Sequence, residues 1–146
     1  MTWKSHIAIT SLGAFALTGS PTLSALAAAG NLLPDKIENI VPILQHRGNA
    51  HSVLLWALLC AGAWMIPSSY SPIAIYLFPL ACGGLAHTLQ DMCSVTGVPF
   101  LPGKKPRRAA NTLKIPLYKT GAPSEAITTF LTLAAFSGII YLKTSL

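Results

Sequence analysis

The chain has 146 residues, 52% hydrophobic and only 10% charged, with ten lysines and arginines against four carboxylates and a formal charge of +6. That length fits one domain, and so little charge, against roughly 25% in typical soluble domains, points to a bilayer as the solvent. The basic excess does not imply nucleic acid: six of the ten basic residues fall within 104–119, and such a cluster beside apolar helices marks the cytoplasmic side and attracts anionic lipid.

Taken in chain order, the first apolar segment covers 7–33. Lys4, the apolar run 7–17 and Ala25-Leu26-Ala27 are also the pattern of a secretory signal peptide; the segment is read here as part of the folded chain. Thr18-Gly19-Ser20-Pro21 should stop a helix. The two arms left, each about 18 Å long at about 1.5 Å per residue, are too short to cross twice. A re-entrant or shallow hairpin follows, with a single kinked span as the alternative. A polar loop is expected over 34–50, then a helix at 51–66 with His51 and Ser52 in its first turn. Segments 72–92 and 124–142 approach the roughly 17–25 residues of a membrane helix. Between them, 94–123 is basic and holds Pro99, Pro102, Pro106, Pro116 and Pro123, which suits a loop capping one face. Cys60, Cys82 and Cys93 read as small buried hydrophobes rather than a disulfide framework. The expected architecture is all-α, a single membrane-embedded domain over 1–146. It is a polytopic membrane helical bundle with an N-terminal re-entrant or kinked hairpin and a proline-rich basic cytoplasmic loop.

Against this apolar background the ionisable residues stand out, because each costs roughly 2.5–3.5 kcal/mol at the centre of a membrane helix. His87 and Asp91 are four apart on one predicted helix and share a face. Gly83 lies a turn earlier on that face and, with Gly84, would let another backbone approach closely. Asp35 follows a predicted helix end, and His46 and His51 bracket a turn containing Gly48. With a cytoplasmic 104–119 stretch, Asp35, His46, His51, His87 and Asp91 fall on one side of the membrane, and the hairpin brings His6 there too. Imidazole and carboxylate are the ligand types of zinc or a similar divalent metal, manganese included. His6, Asp35, His46, His51, His87 and Asp91 are enough for one ion or for two bridged by a carboxylate, an arrangement that clamps phosphoester oxygens. The plain alternative for His87 and Asp91 is a buried hydrogen-bonded pair.

Arg47 is the candidate anion-binding group, since its fork can hold a phosphate in two parallel bonds; a snorkelling interfacial arginine is the alternative. Glu38 and Glu125 are candidate general bases or supporting partners. Glu38 could equally be a solvated loop residue, and for Glu125 helix-dipole stabilisation in the first turn of the last helix suffices.

The ordered set Gly30-Asn31-Leu32-Leu33-Pro34-Asp35, His46-Arg47-Gly48-Asn49-Ala50-His51-Ser52, Gly84-Leu85-Ala86-His87-Thr88-Leu89-Gln90-Asp91 and Thr96-Gly97-Val98-Pro99 resembles the YdjM-type inner-membrane proteins. These bacterial proteins are described as predicted membrane-bound metal-dependent hydrolases. The chain departs from that pattern at Ile37, where a second aspartate is frequent, and at Ala50, where threonine is usual. A more distant resemblance, in ligand order alone, is to zinc-dependent phospholipase C and the S1/P1 nucleases. It implies that Asp35, His51, His87 and Asp91 hold one metal and that His6 joins a bridging Asp91 at another. The chain has no histidine after Asp91, so the downstream ligands of that trinuclear centre are missing.

These features lead to the expectation of a multi-pass protein of the bacterial inner membrane with a site at the cytoplasmic interface. One or two divalent ions there would activate water against a phosphoester of a phospholipid or lipid-linked substrate. A non-enzymatic scaffold, or an ion- or proton-handling protein with a structural metal or a buried His/Asp network, is the competing expectation.

Overall fold

Gly19 splits the first apolar stretch. In the computed structural model, which describes residues 1–41, 49–66, 73–102 and 111–146, helix α1 (Trp3–Thr18) stops at Gly19. That residue adopts a left-handed φ of 67° and returns its N–H to the Phe15 carbonyl, a conformation glycine takes without a Cβ penalty. Ser20 then caps α2 (Pro21–Asn31) by accepting the Leu23 N–H at 3.3 Å, with proline at the helix start. The two helices pack against each other, so the 7–33 segment is a hairpin and not a kinked span.

The loop expected over 34–50 begins instead as a helix, α3 (Leu33–Ile40). Pro34 is tolerated in its first turn, and Asp35 there complements the helix dipole. Eight residues are too few to show an apolar period in the sequence. A 3-10 turn at Asn49–His51 leads into α4 (Val53–Met65), which Ser52 caps through the Leu55 N–H.

Helix α5 (Ala74–Met92) is the centre of the packing, flanked by α2 and α4. Small residues make this possible. A Cβ added at Gly83 would fall 2.0 Å from the Ala27 carbonyl oxygen, and one at Gly30 would fall 2.0 Å from that of Leu80. The backbones of α2 and α5 therefore touch, the close approach that Gly83 suggested. On the neighbouring face Gly84 makes room for the Trp56 ring of α4, whose indole N–H donates to the Ala50 carbonyl at 2.7 Å.

The segment after α5 carries order that an all-helical expectation omits. Strands β1 (Val98–Pro99) and β2 (Thr112–Leu113) pair antiparallel, Val98 opposite Leu113. Tyr118, 1% exposed, pins this segment to α5 by donating to the Gln90 carbonyl.

Helix α6 (Pro123–Ser145) lies along α1 and is fastened at both ends. At its start, Glu125 accepts the backbone N–H groups of Thr2 and Gly121. In its last turn, the Lys143 ammonium donates to the Ala16 and Leu17 carbonyls at 2.8 and 3.1 Å, capping the end of α1. Between those ties its surface is largely bare.

Among the described residues, α6 alone is long and apolar enough to cross a membrane; its 23 residues make about 34 Å against about 30 Å of hydrocarbon. Helix α4 is apolar but short, and α5 ends in the polar run from His87 to Asp91. The fold is mainly helical with one candidate span, a coarser result than the polytopic bundle expected from the apolar segments.

Candidate metal centre

Three elements converge at the C-terminal end of α5. His87 and Asp91 project from one face of that helix, as their spacing requires. His51 reaches them from the 3-10 turn, and Asp35 from the first turn of α3. The two imidazoles meet edge to face, with His51 Nε2 3.2 Å from His87 Nε2. Around that pair, Asp35 Oδ1 lies 3.3 Å from His51 Nε2 and 3.8 Å from His87 Nε2. Asp91 Oδ2 lies 3.9 and 3.8 Å from the same two nitrogens.

The far side of each ring is held in turn. His51 Nδ1 sits 2.8 Å from Glu38 Oε1; an ionised carboxylate only accepts, so Nδ1 carries the hydrogen. Glu38 is one helical turn from Asp35 on α3, so a single short helix supplies both carboxylates. His87 Nδ1 lies 3.4 Å from Asn31 Oδ1. The Asn31 amide nitrogen donates to the Thr10 hydroxyl at 2.6 Å, which leaves its oxygen to accept from His87. Both histidines therefore turn Nε2 toward each other. Two such acceptors 3.2 Å apart repel unless a proton or a cation lies between them.

The electrostatics agree. Burial opposes charge on His51, but its hydrogen bonds with Asp35 and Glu38 outweigh that and raise its pKa to about 9. The same His51 contact holds the Asp35 carboxyl below its ordinary value against the opposing effect of burial. Without a metal, a proton on His51 carries the positive charge that this cluster of carboxylates demands.

His6, from the first turns of α1, completes the group. Its ring stacks on His87 with centroids 4.2 Å apart. Its Nε2 lies 3.2 Å from Asp91 Oδ1, and its Nδ1 bonds the Gln90 carboxamide oxygen. The Met1 amino group also donates to Asp91 Oδ1, at 2.9 Å. Two overlapping sets, Asp35–His51–His87 and His6–His87–Asp91, each gather their ligand atoms within 4.8 Å of one another, and either could hold a metal ion. Nitrogen and carboxylate oxygen fit zinc or a similar divalent ion, and the second-ring contacts of both histidines are those that fix a ligand's tautomer. The site is closed on most sides: His51, His87 and Asp91 side chains are at most 5% exposed, whereas Asp35 is 44% exposed. Solvent reaches the cluster past Asp35.

The structure thus brings together five of the six candidate ligands, His6, Asp35, His51, His87 and Asp91. The sixth, His46, lies outside the described residues, as do Arg47 and the basic residues 104–108. Glu38 sits behind His51 and positions it. Glu125 is elsewhere, its carboxylate engaged by the Thr2 and Gly121 N–H groups. Three residues given no role by the sequence reading support the site: Asn31 behind His87, Gln90 behind His6, and Thr10, whose hydroxyl accepts from Asn31 and, at 2.9 Å, from Gln90. The signal for Asn31 and Gln90 was a carboxamide inside or at the end of an apolar helix, where an unpaired polar group is costly; Thr10 gave none. Their partners come from other helices, which the sequence does not align.

A family model described as YdjM inner membrane protein matches residues 1–145. No curated protein and no solved structure matches the chain.

Proposed function

The chain belongs to the YdjM inner membrane protein family, and from that footing we propose that it is a metal-dependent hydrolase acting on a phosphoester of a phospholipid or lipid-linked substrate. The observation that carries the reading is the convergence of His51 Nε2, His87 Nε2, Asp35 Oδ1 and Asp91 Oδ2 from three separate elements, with Glu38 and Asn31 behind the two rings. Zinc suits these donors best, manganese next. His6 and Asp91 would be the residues to hold a second ion.

The chemistry such an ion supplies is a more acidic water and polarisation of a phosphoryl oxygen. The protein's own groups do the rest. Glu38 and Asn31 fix the His51 and His87 tautomers. Asp35, at the exposed edge, is the ligand that would face an incoming water or substrate. Arg47, just ahead of the Asn49–His51 turn in the chain, is proposed to bind the anionic phosphoryl group. Access through the Asp35 edge favours a catalytic centre over a sealed structural one.

A second reading has its own observation. Asp91 Oδ1 already accepts from the Met1 amino group and lies 3.2 Å from His6 Nε2, so the cluster also closes as a polar network in a scaffold protein. Elemental mass spectrometry on the detergent-purified chain decides between them. About one or two equivalents of zinc or manganese, lost in His87→Ala with helicity retained, together with metal-dependent release of phosphoryl product from vesicle lipids, is the expected result. Protein that stays metal-free after reconstitution with zinc and with manganese overturns the hydrolase reading in favour of the scaffold.

A further inference from the structure

Beside the metal centre, two cavities of about 250 and about 220 Å³ lie along α1. Both are lined by Ile9 and Gln90, so they adjoin there and are together called the trough. The trough is floored by α1 and walled by α5 and α6, and its walls recur at helical spacing: Cys82, Ala86 and Gln90 on one side, Thr128, Thr132 and Phe136 on the other.

The lining is apolar even where the residue names are not. Thr128 and Thr132 turn their hydroxyls back to the Ser124 and Thr128 carbonyls at 2.8 Å, which leaves their methyl groups to the trough. Gln90 has its carboxamide engaged by His6 and Thr10. The Met1 ammonium beside the first cavity is likewise engaged, by Asp91 and Thr120, and a hollow whose polar groups are already taken selects against a peptide, a sugar or a nucleotide, each of which would lose hydrogen bonds to water on entering. It accepts hydrocarbon. One wall belongs to α6, the helix long and apolar enough to span a bilayer and almost bare along its length, so the trough is continuous with a lipid-facing surface. The open rims are leucines, Leu89 at 40% and Leu17 at 73% exposure. From Cys82 to Gln90 the α5 wall runs about 12 Å, enough for one extended chain segment lying parallel to the helices.

We propose that this trough seats a single acyl chain of a membrane lipid. The proposal goes beyond the hydrolase reading and stands whether or not the metal centre turns over lipid. Its bearing on that centre is positional, since the trough wall at Gln90 is the residue that holds His6.

The test uses the full chain in vesicles containing phosphatidylglycerol with a diazirine in one acyl chain, followed by photolysis and peptide mapping. A seated chain labels peptides at Cys82–Gln90 and Thr128–Phe136 and is competed by excess unlabelled phospholipid. Filling the trough with Ala86→Leu, or separately with Thr132→Phe, should lower that labelling about tenfold while the outward face around Phe130 and Tyr141 labels as before. Label spread evenly over the outward face of α6, insensitive to competitor in the wild-type chain and to either filled variant, overturns the proposal. If a filled variant fails to fold, saturability in the wild type decides alone. Metal content of the wild-type preparation keeps the outcomes separate: a wild-type chain that holds metal but shows no competed trough labelling overturns this inference only, and trough labelling in wild-type protein that stays metal-free overturns the hydrolase reading only.

Discussion

Helices α5 and α6 have similar lengths and are both apolar, yet they live in different surroundings. Helix α5 packs against α2 and α4, with glycine at the closest contacts and its polar end sealed, Asp91 being 4% exposed, while Ile75, Tyr76 and Leu77 near its start stay exposed. Helix α6 touches α1 and turns Phe130, Leu131 and Tyr141 outward, each more than 60% exposed. Apolar composition does not separate a helix packed in protein from one facing lipid. Small residues on one face do, because they let backbones approach, and so does the position of the polar groups.

The largest test of that contrast removes a ligand from α5. His87→Ala or Asp91→Ala should abolish metal retention through size-exclusion chromatography, whereas Phe130→Ala on α6 should leave metal content unchanged. Equal losses in both helices would mean that the metal reports general folding rather than a local site. A smaller effect is expected behind the site: Glu38→Gln should weaken zinc affinity by roughly 10–100-fold without removing a ligand atom, as read by competition with a chromogenic chelator.

Acidity provides a third measure. The folded pKa of His51 is about 9, above its ordinary 6.5. The stability this contributes to metal-free protein is fully present below about 6.5 and is lost as pH rises through about 9. A metal must displace that proton, so zinc affinity should climb about tenfold per pH unit up to about 9 and then level off. Titration calorimetry across pH 6.5–9, with thermal melts of the metal-free chain, reads both signs; a flat affinity profile would remove His51 from the ligand set. The smallest effects compare two glycines. Gly83→Ala drives a methyl into the α2 backbone and should cost about 1–3 kcal/mol. Gly138→Ala on α6 meets nothing within 4 Å and should change stability by less than about 0.5 kcal/mol. Similar melting shifts would contradict the packing contrast.

Much of the site was legible because spacing on a helix is a local property. His87 and Asp91 four apart must share a face, and Gly83 a turn earlier announced a close contact. The helix break at Thr18–Pro21 followed from turn chemistry, while the choice of a hairpin over a kinked span waited on the packing of α1 against α2. Helix α3 was not legible: eight residues carry no readable period, and Pro34 looked like the end of a helix rather than its first turn. The β1–β2 pair escaped because two-residue strands are held by the tie of Tyr118 to α5, not by their own pattern. Of the expected membrane crossings, one candidate span stands among the described residues, α6; α4 is apolar but short and leaves Leu58, Trp64 and Met65 more than 60% exposed.

By itself, then, the sequence determined a helical, apolar chain with few titratable groups, each of which is costly to keep isolated in such surroundings. Only the tertiary structure decided which of them meet. His6 and His51, far apart in the chain, join His87 because α1 folds back on α2 and glycine lets α2 lie against α5. It also decided that Glu38 and Asn31 stand behind the rings while Glu125 ties down the start of the chain, since such roles depend on distances between elements that no local pattern encodes.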